Sequence, residues 1–290
     1  MHIAIKAARW SPSSLFRATL TGLLVTSWTA LFLASIGHFQ AGYAILAGAV
    51  GAGWLLCYPV HNANGWTRTD LIAVTLALGS LWLTLPPHLY MLGGWDPGVY
   101  VHTAAAVDRY GTLQFPEADL CALQGETRDL FARNLHGIVE PFLGIRVVAG
   151  RYVSPQFYHL FPSLMAVLWP LGGATAGLLL NPLLNVFSLL AFYAVLKKLG
   201  GPTAGLVGLL LLLLHPAQIW QARFPSAEML TQTLLWSGFA LLLRLDLTNR
   251  SNSRDALLAG CALGAAQLAR YDTLMLLAPL SAVLLFSLLI

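Results

Sequence analysis

The stretch FYAVLKKLGGPTAGLVGLLLLLLHP, residues 192–216, decides how the rest of the chain is read. One apolar run ends in it at Lys197 and Lys198, and a second begins at residue 204. Two apolar runs joined by a short basic turn are the pattern of two membrane spans meeting on the side where lysine and arginine collect. Further apolar runs lie at 18–36, 41–60, 71–85, 176–196, 204–214, 231–243 and 256–290, each wholly or nearly meeting the ~20 apolar residues that a spanning helix needs. Over 290 residues the chain is 57% hydrophobic and only 10% charged, far below the roughly 25% charged residues of soluble domains. The expected fold is therefore all-α, a polytopic transmembrane helix bundle of about eight spans.

Lys6, Arg9 and Arg17 ahead of an apolar stretch resemble a secretory signal. That stretch exceeds the ~7–15 residues of a signal core, and more spans follow, so it reads as the first span. The three cysteines, Cys57, Cys121 and Cys261, are far apart and form neither a disulfide framework nor a zinc spacing. Residues 285–290 stop inside apolar sequence, which predicts that 1–290 is one transmembrane domain, C-terminally incomplete, from the N-terminal part of a longer protein.

Lysine and arginine prefer short cytoplasmic loops. A cytoplasmic N-terminus puts Lys6, Arg9, Arg17, Arg68, Lys197, Lys198, Arg244, Arg250 and Arg254 inside, with Asp70, Asp246 and Asp255 as the acidic residues on that side. This holds if 158–171, FYHLFPSLMAVLWPLGG without its first residue and last two, does not cross; its two prolines and modest length predict an interfacial helix at the outer face. The net charge of +4 is then a topology signal. No basic patch with interleaved aromatics points to nucleic acid. The expected location is the plasma or inner membrane, multi-pass.

The largest polar segment, 93–156, becomes an external loop far longer than the usual ~4–6 residue connection, a length that goes with function. In it, 97–110 reads as a helix with Asp96 as cap, Pro97 in the favoured first position and Gly111 as the stop. A single helix over 256–290 would be roughly 50 Å long at ~1.5 Å per residue and would strand Arg270 and Asp272 in the bilayer. A break at 269–272 brings them to the same face as Asp96.

Three polar groups thus share one side: Asp96, the stretch QARFPSAE at 221–228 with Arg223 and Glu228, and Arg270 with Asp272. Each also has a structural reading, as a helix cap, an interfacial pair and a satisfied turn. Together they mark a functional site, because charges at a membrane edge are costly. The glycine-rich AGAVGAG at 47–53 reads as close helix packing rather than a nucleotide loop. Glu117 and Asp119 read as a solvated pair, and His102 as structural.

The order of elements resembles the GT-C membrane glycosyltransferases of the protein O-mannosyltransferase and aminoarabinose-transferase type. The resemblance rests on WDPGVYVHTAAAVDRYGTL as the first external loop's acidic motif and helix, FYHLFPSLMAVLWPLGG as its interfacial helix, and the basic turn quoted above. QARFPSAEM stands for its external arginine and acidic pair, and AGCALGAAQLARYDTLMLLAPL for its short hairpin. Where many members carry two adjacent acidic residues, this chain has Asp96 and Pro97, and two spans precede the helix that would be the family's first. The resemblance implies transfer of a sugar from a polyprenyl-phosphate donor to a lipid, glycan or protein acceptor, on the outer face, with inversion. Asp96 would be the general base. Arg270, with Arg223 as the fallback, would neutralise the departing phosphate. Glu228 would orient the acceptor or hold a divalent cation, the residues leaving the metal question open, and Tyr100 and His159 would complete the substrate cleft. The competing class is a transporter or lipid-translocating protein, which predicts internal repeats and helices broken at the bilayer midplane; no repeat is found.

In a cysteine-free background, a cysteine beside Lys198 is expected to stay unlabelled by an impermeant reagent in intact cells, and cysteines beside Asp96 and Arg270 to be labelled. Labelling beside Lys198 overturns this topology. The sequon Asn249-Arg250-Ser251 is likewise expected to remain unglycosylated.

Overall fold

The computed structural model describes residues 11–57, 65–90, 96–116, 118–127, 133–135, 138–142, 144–148, 152–245, 253–276 and 278–281. Lys6, Arg9, Glu117, Asp246, the sequon at 249–251 and the end of the last apolar run, 282–290, lie outside the described residues. The described chain is mostly helical.

Helix α1 (Pro12–Ser35) starts where Ser11 accepts a hydrogen bond from the Ser14 backbone N–H, with Pro12 at the first helical position, and α2 (Ala41–Cys57) returns antiparallel to it. The two approach over small residues. A Cβ added to Gly48 would lie 1.9 Å from Thr26 Oγ1 and 2.9 Å from the Gly22 carbonyl oxygen. The 47–53 motif is thus helix packing, as its sequence suggests. Helix α3 (Arg68–Thr84) opens with a capping box: the Asp70 N–H donates to Thr67 Oγ1 at 3.2 Å and the Thr67 N–H to Asp70 Oδ2 at 3.1 Å.

Helix α4 (Asp96–Tyr110) stops at Gly111, whose φ is 71°. Its end is tied to the α1–α2 turn, because Phe39 N–H donates to the Gly111 carbonyl at 3.0 Å and Leu113 N–H to the Ala34 carbonyl at 3.2 Å. Strand β1 (Phe115–Pro116) and short helix α5 (Ala118–Ala122) follow, then β2 (Arg133–Leu135), β3 (Ile138–Phe142), β4 (Ile145–Val148) and β5 (Tyr152–Pro155). They form an antiparallel sheet in the order β1-β5-β4-β3-β2, with Val147 opposite Val153. This sheet adds strands to a loop for which only helices were expected by name, in a chain that is mostly helical. Gly144, between β3 and β4, seats the sheet on α4: its N–H donates to Gln156 Oε1, its carbonyl accepts from the Gln156 N–H at 2.8 Å, and it packs against Val99.

Helix α6 (Leu160–Leu168) continues into a 3-10 turn, Trp169–Leu171. The helix expected over 158–171 is there, but every residue from Leu160 to Val167 is buried, so it is a core helix and does not lie on a surface. Helix α7 (Gly173–Leu178) leads into α8 (Leu180–Leu213), which is two antiparallel arms. Gly201 takes φ 82° and ψ 178°, a conformation open to glycine, and Pro202 cannot continue the first arm's hydrogen bonding. The arms close on each other, Gly205 against Tyr193 and Gly208 against Leu196. Lys197 and Lys198 sit at this turn, and Lys197 Nζ donates to Asp70 Oδ1 at 2.6 Å while the Tyr193 hydroxyl donates to the same oxygen at 3.0 Å.

Helices α9 (Pro216–Arg223), α10 (Glu228–Leu242) and α11 (Ser253–Ala269) complete the bundle. The main core joins Leu20 of α1, Val101 and Val107 of α4, Phe161 and Met165 of α6, Leu230 and Leu234 of α10, and Ala262 and Ala266 of α11. A smaller one joins α3 to both arms of α8 through Ala73, Leu189 and Leu209.

Among the described residues, two helical stretches are long and apolar enough to cross a membrane by length and composition, Pro12–Ser35 and Gly173–Leu213. The expected count of eight is not matched. Helices α2, α3 and α11 have 17 residues each and α10 has 15, short of the ~20 that the criterion asks, and the stretch Gly173–Leu213 folds back on itself at Gly201.

Gly48→Ala is expected to lower the midpoint of thermal unfolding in detergent, with a loss of about 1–3 kcal/mol, because the Gly22 carbonyl it meets is backbone and cannot rotate away. Gly53→Ala, where an added Cβ meets nothing within 4 Å, is expected to be neutral or slightly stabilising. Equal effects of the two would refute close packing as the role of this motif.

Candidate functional site

Arg270 terminates α11. Its N–H still donates to the Ala266 carbonyl at 3.0 Å, but its backbone is extended (φ −150°, ψ 132°), and a 3-10 turn, Tyr271–Thr273, follows. Thr273 Oγ1 donates back to the Arg270 carbonyl at 2.7 Å, so the carbonyl freed by the break is satisfied. The break expected at 269–272 is therefore real, and it swings the guanidinium out of the helix.

The guanidinium is held on two sides. Nε donates to Asp272 Oδ1 at 3.0 Å and Nη2 to Oδ2 at 2.8 Å, a bidentate fork, while Nη1 donates to Glu228 Oε1. These bonds to Asp272, and next the Glu228 charge, raise the Arg270 pKa further above its ordinary range, although burial opposes them. The bond from Arg270 likewise holds the Asp272 carboxyl below the usual carboxylate range. Of the five N–H groups on a guanidinium, one on each terminal nitrogen is left for another acceptor.

Glu228 opens α10, where the helix dipole favours a carboxylate. Its Oε2 is buried and lacks a hydrogen-bond partner. The loop ahead of it is fixed from below by Asn181 of α8, 2% exposed, whose Nδ2 donates to the Phe224 and Ser226 carbonyls. Ser226 Oγ donates to Gln221 Oε1 at 3.1 Å.

Tyr100, on α4 one turn beyond Asp96, is 5% exposed and packs its ring 5.3 Å from Phe161, edge-on, and 5.6 Å from Phe157. Burial first, then the Glu228 charge, push its phenol well above the ordinary range, and Asp96 and Asp272 act in the same direction against Arg270. Tyr100 is thus the neutral group in the field of all four charges. The Tyr158 ring lies 6.5 Å from that of Tyr271, which brings the next residue, His159, to the same rim. Burial holds the His159 pKa below its ordinary value, and its Nδ1 is buried without a partner. Asp96 is exposed.

The structure thereby gathers Asp96, Tyr100, His159, Glu228, Arg270 and Asp272 at one end of the bundle. Arg223 stands apart: its Nε donates to the Pro86 carbonyl at 3.1 Å and its own carbonyl accepts from the His88 N–H at 2.8 Å, so it braces the segment after α3. Among the described residues no group of three His, Cys, Asp or Glu side chains could hold a metal ion. Glu228 and Asp272 spend oxygens on Arg270, and Glu228 Oε2 is buried without a hydrogen-bond partner.

Sequence reasoning missed the polar chain beneath the site. Asn185 Nδ2 donates to Ser80 Oγ at 3.0 Å, Gln218 Nε2 to Asn185 Oδ1 at 2.7 Å, and Gln232 Nε2 to Gln218 Oε1 at 3.0 Å. The signal was present in Asn181 and Asn185, four residues apart on one helix face in an apolar run.

Tyr100→Phe is expected to leave the phenolate absorbance change near pH 10 unaltered while the protein is folded, and to remove amplitude only when alkali unfolds it. Because the unfolded phenol ionises near the ordinary value of about 10 and the folded one does not, the Tyr100 contribution to stability is present below about pH 10 and declines as pH rises beyond it. Loss of amplitude at pH 10 in the folded variant would show an ordinary, exposed tyrosine. The chain matches no protein-family model, no curated protein and no solved structure, so its functional reading rests on this arrangement.

Proposed function

We propose that the chain is a multi-pass membrane glycosyltransferase of the GT-C kind, with about eight crossings, that moves a sugar from a polyprenyl-phosphate donor to an acceptor on the outer face. The observation that carries this reading is the Arg270 clasp between Glu228 and Asp272, set beside Tyr100 on the helix that Asp96 begins. Membrane embedding is supported by the apolar side chains turned outward along the helices, among them Trp82 at 89% exposure and Leu46, Trp54 and Leu211 at over half.

In this reading the acceptor hydroxyl attacks the anomeric carbon while exposed Asp96 takes its proton, the new C–O bond forms, and the bond from the anomeric carbon to the phosphate oxygen breaks. A single displacement inverts the configuration. The charge that develops on the leaving phosphate meets the N–H groups of Arg270 not bound to carboxylates, in a position fixed beforehand. Tyr100 offers a neutral phenol and His159 a neutral imidazole to donor hydroxyls, and Glu228 Oε2 offers an acceptor to the incoming group.

The buried chain Ser80-Asn185-Gln218-Gln232 favours a second reading, passage of a polar lipid headgroup through the bundle. The two separate in reconstituted vesicles. A transferase consumes a polyprenyl-phosphate sugar and releases the polyprenyl phosphate; a translocator moves the headgroup between leaflets with the lipid unchanged.

Asp96→Asn is expected to lower transfer by a factor on the order of 10² or more while melting like wild type, since asparagine suits a helix start as well as aspartate but takes up no proton. Arg270→Lys, which keeps the charge and loses the fork, is expected to retain more donor use than Arg270→Ala. An Asp96→Asn protein with most of its turnover intact would remove Asp96 from the mechanism, and equal activity of the three Arg270 forms would remove Arg270 from phosphate recognition.

A further inference from the structure

At the end of the bundle away from Arg270, two guanidinium groups lie near one carboxylate that pairs with only one of them. Arg17, on α1, donates through Nη2 to Asp255 Oδ2 at the start of α11, with side chains only 19% and 8% exposed. Arg244, just past α10, is half-buried and lays its guanidinium 5.8 Å from the centre of the Phe16 ring, which packs in turn 5.3 Å from Phe187. Arg17 Nε is buried and has no hydrogen-bond partner. Among the described residues no carboxylate pairs with Arg244. The nearby Asp70 is already committed to Lys197, Tyr193 and Thr67. Burial, and then the like charge of Arg17, hold the Arg244 pKa below the ordinary guanidinium range, against the charges of Asp255 and Asp70.

A guanidinium keeps its proton in a protein, so the excess charge is not removed by neutralisation. An anion would balance it. A tetrahedral phosphate has oxygens enough to accept from the free Arg17 Nε–H and from the Arg244 fork together, which a single carboxylate already bound to Arg17 cannot do. We propose that Arg17 and Arg244 form a binding site for a phosphate-bearing anion, such as the headgroup of an anionic phospholipid, clamped between α1, α10 and α11. The site is independent of the transfer reaction proposed above.

The test uses the whole chain purified in a neutral detergent, with unfolding followed by tryptophan fluorescence. Phosphatidylglycerol in the micelles is expected to raise the melting temperature by roughly 2–4 °C or more over phosphatidylcholine, as a ligand selective for the folded state does. The rise should vanish in Arg244→Gln and persist in Lys198→Gln, an exposed lysine at the same end. Inorganic phosphate at matched ionic strength separates the sources: the same rise identifies free phosphate as the anion and sustains the site, while no rise beside a full response to phosphatidylglycerol identifies the lipid. If Arg244→Gln does not fold, Arg244→Lys keeps the charge without the fork and is expected to show a smaller rise than wild type. No rise in the wild type with either anion overturns the proposal, and so does a rise of equal size in Arg244→Gln or Arg244→Lys, which would mark diffuse surface attraction.

Discussion

Amides inside an apolar bundle must find partners within the protein, and in this one they find each other. Asn185 gives a hydrogen bond to Ser80 and takes one from Gln218, which takes another from Gln232, so α3, α8, α9 and α10 are joined by one file of side chains. Each such bond contributes only ~0.5–1.5 kcal/mol net, but a buried amide left unpaired costs about 1–3 kcal/mol, so the file favours one mutual placement of the four helices over any that separates its members. Asn181, one turn before Asn185, extends the same logic to backbone: by holding the Phe224 and Ser226 carbonyls it fixes the entry to α10 and hence where Glu228 stands. The position of the Arg270 clasp is set by amides that never touch it.

Helices α10 and α11 run antiparallel, and each carries charge at both tips. Glu228 and Arg270 meet at one end; Arg244 and Asp255 lie near each other at the other, with Arg17 between them. The interior between carries no charge: Leu234, Leu241, Ala259 and Ala262 share one core, and the buried polar groups of α10 there, Thr231, Thr233 and Ser237, are neutral. Charge is thereby confined to the two ends, where water or headgroups can reach it, and the desolvation that would make a mid-bundle charge so costly is avoided.

The helix at 97–110, its stop at Gly111, the break before Arg270 and the fold-back at the basic turn were all legible, because each is set locally: by a glycine with positive φ, by proline, by charge too costly to bury. The number of spans was not. Apolar length alone does not say where α2 or α11 ends, and capping by Thr67 and Asp70, or the extended backbone of Arg270, trims helices below the length a hydropathy reading assumes. The sheet was not legible in the same way, although IRVVAGRYVSP carries β-branched residues on either side of a glycine, a hairpin signal; its strands are only two to five residues long, too short for a clear alternating pattern. Arg223 was grouped with Glu228 by nearness in sequence, but Phe224 and Pro225 lie between a helix end and a loop, and five residues there are enough to turn the two side chains to different neighbours.

At Gly48 and Thr26, α1 and α2 meet with only backbone and a hydroxyl between them. Such a pair reads its partner by phase. A one-residue insertion in either helix rotates everything beyond it by about 100°, which carries Gly48 and Gly51 out of the seam. Drift in this part of the chain is therefore expected to proceed by substitution at outward positions, while the spacing between Gly22 and Gly48 stays frozen.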